Sequence, residues 1–132
     1  MDNYESARPH RVVSLSRFIG MCAALAVSCA HAQAGGVNEA TILNLQPTAL
    51  TNLMGQAGSY FVYVSLPPGG PSCATFGQSS HRFVANPNTP SGMAIISTLL
   101  TAFALGRNIQ ITGSGVCDIW GDTESIGSVY TE

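Results

Sequence analysis

Apolar and polar residues alternate along several short segments of the chain, and this pattern predicts β-strands. The clearest strand spans residues 60–66, where β-branched and aromatic side chains fall on both faces. Four more strands are predicted between segments rich in glycine or proline, at residues 37–45, 81–85, 108–112 and 125–131. The sequence therefore predicts a mainly β fold.

One segment has the apolar spacing of a long α-helix, and we place this helix at residues 90–105. Thr89 can cap its first turn, Pro90 suits the first helical position, and Gly106 can end it. No charged residue lies between Phe83 and Leu105, so the helix is either packed across a curved sheet or shared between two subunits. Residues 48–58 have weaker helical potential.

The N-terminal segment predicts export. Three arginines precede an apolar run of 13 residues, residues 18–30, and Ala30-His31-Ala32 forms a small-x-small cleavage site. We expect residues 1–32 to be a cleaved signal peptide and residues 33–132 to be a single domain, periplasmic or secreted. An uncleaved anchor and a lipoprotein attached through Cys29 are the alternatives. A membrane-spanning helix needs roughly 20 residues, and the apolar run is shorter, which argues against the anchor. We expect no membrane insertion after cleavage.

Cleavage leaves two cysteines, Cys73 and Cys117, in an oxidising compartment, and a disulfide between them is predicted. Two free buried thiols are the alternative. His81 is the one histidine after residue 33, and the chain has no CxxC or HxxxH spacing. The sequence therefore predicts neither a metal site nor a cofactor.

Charge is sparse, and this excludes some partners. The chain has five arginines, no lysine and a formal net charge of −2, and only Arg82 and Arg107 lie after the predicted cleavage site. Nucleic-acid binding depends on neutralised phosphates, so it is excluded, and a polybasic membrane patch is excluded for the same reason. A surface of uncharged polar residues suits a glycan or another protein subunit.

Three carboxylates, on Asp118, Asp122 and Glu124, lie within seven residues of each other. They could bind Ca²⁺ or supply the acid–base pair of a glycoside hydrolase, but the spacing matches no calcium loop or catalytic signature. Turn and capping roles are the alternative. Trp120 lies among them and offers a flat face for stacking on a sugar ring, unless it belongs to the core. His81 has no nucleophile motif to act on, so no catalytic residue is assigned.

A Cys-Asp-x-Trp-Gly-Asp-x-Glu motif spans residues 117–124, after the helical run 97–106 and the strand 109–112. On these residues the chain resembles, from Ser91 to Ile126, a family of small exported proteobacterial proteins. The resemblance covers about a third of residues 33–132. It implies export and a shared fold, and it brings no assigned activity.

The order of strands and helix more distantly resembles the OB-fold receptor-binding subunits of AB-type bacterial toxins, which form five-membered rings and bind cell-surface glycans. This likeness implies a mainly β, α+β fold: a small OB-like barrel of five strands with one long helix, in the order β-β-β-α-β-β. It also implies a homo-oligomer. No receptor-contacting residue of that family can be matched to a position in this sequence.

The combined prediction is an exported, non-catalytic binding or assembly module. A glycan is the expected ligand, bound through Trp120, Asp118, Asp122 and Glu124. Two alternatives remain: a hydrolase that uses the three carboxylates, and an inhibitor or structural subunit of another exported protein. A deep cleft lined by two of the carboxylates favours the hydrolase, and an exposed apolar stripe on the helix favours the subunit.

Overall fold

The computed structural model describes residues 33–132, so the predicted signal peptide at residues 1–32 lies outside the described residues. The described chain contains six strands and two helices. In order these are β1 (Gly36–Ala40), β2 (Ile42–Thr51), β3 (Ala57–Val64), α1 (Thr75–Ser79), β4 (Arg82–Ala85), α2 (Pro90–Leu105), β5 (Ile109–Gly113) and β6 (Ile126–Thr131).

The strands form two antiparallel sheets of three strands each, in the orders β1-β5-β6 and β2-β3-β4. The predicted strand at residues 37–45 is divided between them. Glu39 has a φ of 52°, and the register of β1 against β5 shifts between Val37 and Ala40. The chain turns there and enters the second sheet at Ile42. A single strand could not follow this bend without the irregular residue.

The two sheets are connected rather than merged. The chain passes from β1 in one sheet to β2 in the other through Thr41. A single parallel bridge also joins Val84 of β4 to Ser125, the residue before β6. The expected five-stranded barrel is corrected accordingly, because the described residues form six strands in two sheets and no closed barrel. The coarser prediction of a mainly β, α+β fold is confirmed.

Helix α2 has the predicted bounds and covers both sheets. Thr89 Oγ1 accepts a hydrogen bond from the backbone N–H of Gly92 at 3.0 Å, and Gly106 ends the helix in the left-handed region with a φ of 62°. Ile96, Leu99 and Ala102 are buried in a core that takes residues from both sheets, including Ile109, Ile111, Val62, Val64 and Phe83. The helix therefore covers the hydrophobic core.

The helical potential of residues 48–58 is not realised. β2 continues to Thr51, and Asn52 Oδ1 then accepts hydrogen bonds from the backbone N–H groups of Met54 and Gln56, both at 3.0 Å. Residues 48–51 pair with β3, and this pairing outweighs their weak helical propensity.

Helix α1 is a short element that the sequence pattern does not predict. Gly77 donates its N–H to the carbonyl of Asp122, and a Cβ on Gly77 would lie 2.9 Å from the carbonyl oxygen of Arg82. The missing side chain lets the helix approach both segments.

Candidate functional site

The predicted disulfide is present. Cys73 and Cys117 are paired, with their Cα atoms 6.2 Å apart. The bond attaches the segment before α1 to residues 114–125, which we call the β5–β6 loop. All four predicted ligand-binding residues lie on this loop, so the disulfide helps to fix the candidate site.

Glu124 is the most buried of the three carboxylates, with 1% of its surface exposed. Gly35 donates its backbone N–H to both carboxylate oxygens, at 3.0 and 3.1 Å, and Gly115 donates to Oε1 at 2.8 Å. A Cβ on Gly35 or Gly70 would lie 2.5 Å from Oε2, and one on Gly113 would also clash with the carboxylate. We call Glu124 and these four glycines the Glu124 box. Its carboxylate joins three separate segments of the chain.

Asp122 forms an ion pair with Arg82, at 2.8 Å between Oδ1 and Nη2. Arg82 is buried and also donates to Thr123 Oγ1 from both Nε and Nη2. Its guanidinium lies between the rings of Phe61 and Phe76, 4.4 Å from each centroid. Cation–π and charge-assisted contacts of this kind hold the end of the β5–β6 loop against β3 and β4.

Trp120 is half-buried and packs edge-to-face on Phe61, with the ring centroids 5.1 Å apart. Both rings belong to a small apolar cluster with Val84 and Ile119, separate from the main core. Trp120 also bridges Thr123 across the turn of the loop. Its position is set by this packing.

Asp118 has a different environment, because its side chain reaches a cleft. Ser125 Oγ donates to its Oδ1 at 2.5 Å, and this is its one side-chain hydrogen bond among residues 33–132. The cleft has a volume of about 190 Å³. It is lined by Met54, by Asn86 just after β4, by the first turns of α2, by the start of β6 and by the β5–β6 loop, which contributes the exposed Asp118.

Most of the cleft's polar groups are uncharged. Beside Asp118 they are Asn86, Thr89, Ser91, Ser114 and Ser125. Four apolar side chains complete the lining, on Met54, Ile95, Ile119 and Ile126. Asn86 is held in place by Gln56 Oε1, 2.7 Å from its Nδ2, so one wall of the cleft is ordered before any ligand enters.

Of the four predicted residues, the structure therefore brings only Asp118 to the cleft. The sequence pattern does not predict that the polar run at residues 86–91 and Ser114 belong to one site, since it marks Thr89 and Pro90 only as the start of the helix. The run is visible in the sequence, but its approach to Ser114 and Ser125 depends on the bridge between β4 and the β5–β6 loop. No local pattern contains that contact.

No family model, curated protein or solved structure matches this chain. Its function has to be argued from the site itself. Among residues 33–132, no helix has the length and apolar character to cross a membrane. The same residues contain no group of three or more His, Cys, Asp or Glu side chains placed to hold a metal ion.

Proposed function

We propose that this protein is an exported, non-catalytic binding module that takes a sugar-like ligand into the cleft beside Asp118. One observation carries the proposal: a small cleft lined by hydroxyl, amide and carboxylate groups together with apolar side chains. Sugars present the matching mixture, with hydroxyl groups around the ring and apolar C–H faces. The signal-peptide pattern and the disulfide support export to the periplasm or the medium.

The distribution of the carboxylates supports a binding role over hydrolysis. Glycoside hydrolysis requires two carboxyl groups on either side of the scissile bond. Asp118 lines the cleft, whereas Asp122 pairs with Arg82 and Glu124 accepts the glycine N–H groups of its box. A hydrolase would have to release Asp122 from its ion pair or Glu124 from its buried hydrogen bonds.

Charge supports an uncharged partner. Arg82 is already paired with Asp122, which leaves Arg107 as the other arginine of the described residues. A nucleic acid would find little to neutralise its phosphates.

The fold gives additional support for the resemblance to OB-fold toxin subunits, which we keep as part of the proposal. The bent segment β1–β2 pairs with β5 in one sheet and with β3 in the other. A curved first strand that contributes to both halves is what a partly open OB-like barrel requires. Fold likeness alone is weak support for a glycan ligand, so the cleft remains the main argument.

The test is a glycan-array and saturation-transfer NMR screen of residues 33–132. We expect binding of uncharged glycans, and we expect Ser114→Phe to abolish it by filling the exposed rim of the cleft. Ser72→Phe, at an exposed position outside the cleft, is the matched control and should bind like the native protein. Loss of binding in both variants, or in neither, would place the ligand elsewhere.

A second candidate function is assembly with further copies of the chain, as the toxin-like order of elements also suggests. Met93, Leu100 and Phe103 form an exposed stripe on α2, with 51%, 44% and 47% of their surfaces accessible. β2 is a ten-residue edge strand with exposed Leu43 and Leu50, and no Asp, Glu, Lys or Arg lies between Glu39 and Arg82. Charged side chains often protect the edge strands of monomers, and β2 has Pro47 but no such charge.

Light scattering after size exclusion tests this candidate. We expect a mass above that of one chain, and a shift to the monomer when Leu100 and Phe103 are both replaced by Gln. Leu105→Gln is the control, because Leu105 is exposed on the opposite side of α2. A monomeric native protein at high concentration excludes assembly with its own copies.

A further inference from the structure

The cleft carries one formal charge. Asp118 is the only Asp, Glu, Lys, Arg or His in its lining among the described residues. The first turn of α2, with Thr89, Ser91 and Gly92, forms part of the same wall and contributes a partial positive charge. A helix N-terminus is equivalent to about half an elementary charge, so the full charge of the carboxylate exceeds it. The cleft is therefore net negative.

We infer that Asp118 makes the cleft selective for the charge of its ligand: it favours a sugar ring that carries an amine, accepts an uncharged ring and rejects an acidic sugar. This inference rests on the proposed function, whose cleft it uses. It goes further by naming the ligand class and the residue that determines it.

Ser125 engages one of the two carboxylate oxygens of Asp118. Ser125 Oγ donates to Oδ1, and the backbone of Ser125 is itself fixed, with its carbonyl accepting from Ser114 N–H at 2.9 Å and its N–H donating to the carbonyl of Val116 at 3.0 Å. Oδ2 has no hydrogen-bond partner within residues 33–132, so it is the oxygen that a ligand can use. An ammonium group can donate to it with full charge assistance, a hydroxyl group can donate without it, and a carboxylate has no proton to give.

The size of the cleft limits what enters. Its volume of about 190 Å³ is below the roughly 300–1,000 Å³ of clefts that hold drug-sized ligands. One sugar ring is therefore the unit that fits. The ring at the end of a glycan can enter with its amine or hydroxyl groups towards Asp118, while the rest of the glycan stays in solvent.

The test uses matched hexosamine, hexose and hexuronate probes in the gluco, galacto and manno configurations. Binding is followed by NMR chemical-shift titration of residues 33–132. For the configuration that binds, we expect the hexosamine to bind about fivefold more tightly than the hexose, the factor expected of one ion pair in a water-filled cleft. The hexuronate should bind most weakly of the three.

Asp118→Asn is the decisive variant, because its side-chain oxygen can still accept from Ser125 while the charge is gone. We expect it to bring the three affinities to within about twofold of each other. Glu132→Gln removes the same charge from an exposed position outside the cleft and should leave the order unchanged. High salt should also reduce the differences between the three affinities of the native protein. This measurement does not depend on the folding of any variant.

The outcomes separate the inference from the function on which it rests. Binding of all three classes with equal affinity, or an unchanged order in Asp118→Asn, overturns charge selectivity and leaves the sugar cleft standing. Absence of binding by every probe overturns the proposed function and the inference with it. Tighter binding of the hexuronate than of the hexosamine reverses the assigned role of Asp118.

Discussion

The surroundings of Glu124 give its carboxylate a structural role that differs from the position of Asp118. It lies six positions after Asp118, yet one carboxylate is enclosed by glycines and the other borders a cleft. Glu124 accepts backbone N–H groups from Gly35 and Gly115, and the buried donors have no solvent to replace it. Its charge stabilises the fold because those donors are already in place.

We expect Glu124→Gln to lower the free energy of unfolding by about 2–4 kcal/mol, since the amide loses the charge assistance and turns an NH₂ group towards other donors. Urea denaturation measures the loss. Glu132→Gln, at an exposed position, is the control and should change stability by less than about 0.5 kcal/mol. Equal midpoints for the two variants would show that the Glu124 box contributes nothing to stability.

The sequence could identify the disulfide, because two cysteines remain after residue 33 and offer one pairing. It could not separate the three carboxylates. Their surroundings are supplied by Gly35, Arg82 and Ser125, and two of these lie 89 and 40 residues away from the carboxylate that they contact. A local motif carries no information about such distant partners.

At the scale of elements, local signals were sufficient for α2 and insufficient for β2. Thr89 and Pro90 determine where α2 begins, and Gly106 determines where it ends. Each of them acts on the turn of the helix next to it. The buried face was harder to predict. Helical spacing places Met93, Ile96, Leu100 and Phe103 along one apolar stripe, but only Ile96 of these is buried. With few polar residues on α2, the sequence does not mark which side faces the core.

We expect Ile96→Ala to cost about 2–5 kcal/mol, because Ile96 is 4% exposed and its removal leaves a cavity in the core. Leu100→Ala should cost less than about 1 kcal/mol in the monomer, because Leu100 is 44% exposed. The apolar spacing of α2 alone predicts that both residues lie in the core, and the structure places only Ile96 there. Thermal or urea unfolding of the two variants checks the difference, and equal losses would contradict the described orientation of α2.

For the whole molecule, the disulfide is the main covalent constraint within the described residues. It closes a loop of 44 residues that contains α1, β4, α2 and β5. This loop runs from β4 in one sheet, through α2, to β5 in the other sheet, so the bond restricts the part of the chain that has to fold across the core. The sequence predicted the disulfide but not the two sheets. The division into two sheets depends on the bend at Glu39, which the sequence pattern does not mark.

Replacing Cys73 and Cys117 by Ser should lower stability by about 2–4 kcal/mol, through the larger entropy of the unfolded chain. Urea unfolding with and without reductant is the measurement. Reduction should lower the native midpoint to that of the double variant, and should leave the double variant unchanged. A native midpoint that does not respond to complete reduction would rule out a stabilising role for the bond.

The Glu124 box has a consequence for the time course of folding. Its carboxylate meets Gly35 across 89 residues of chain, and the meeting also requires the segments that carry Gly70 and Gly113. Contacts so distant in sequence are slow to form, because the entropy of ordering the intervening chain is lost before they contribute. When the chain is synthesised from its N-terminus, Gly35 is made long before Glu124. The contact that holds Gly35, just before β1, can therefore form only after the β5–β6 loop has been synthesised and folded. We therefore expect the Glu124 box to form late in folding and not in the folding nucleus.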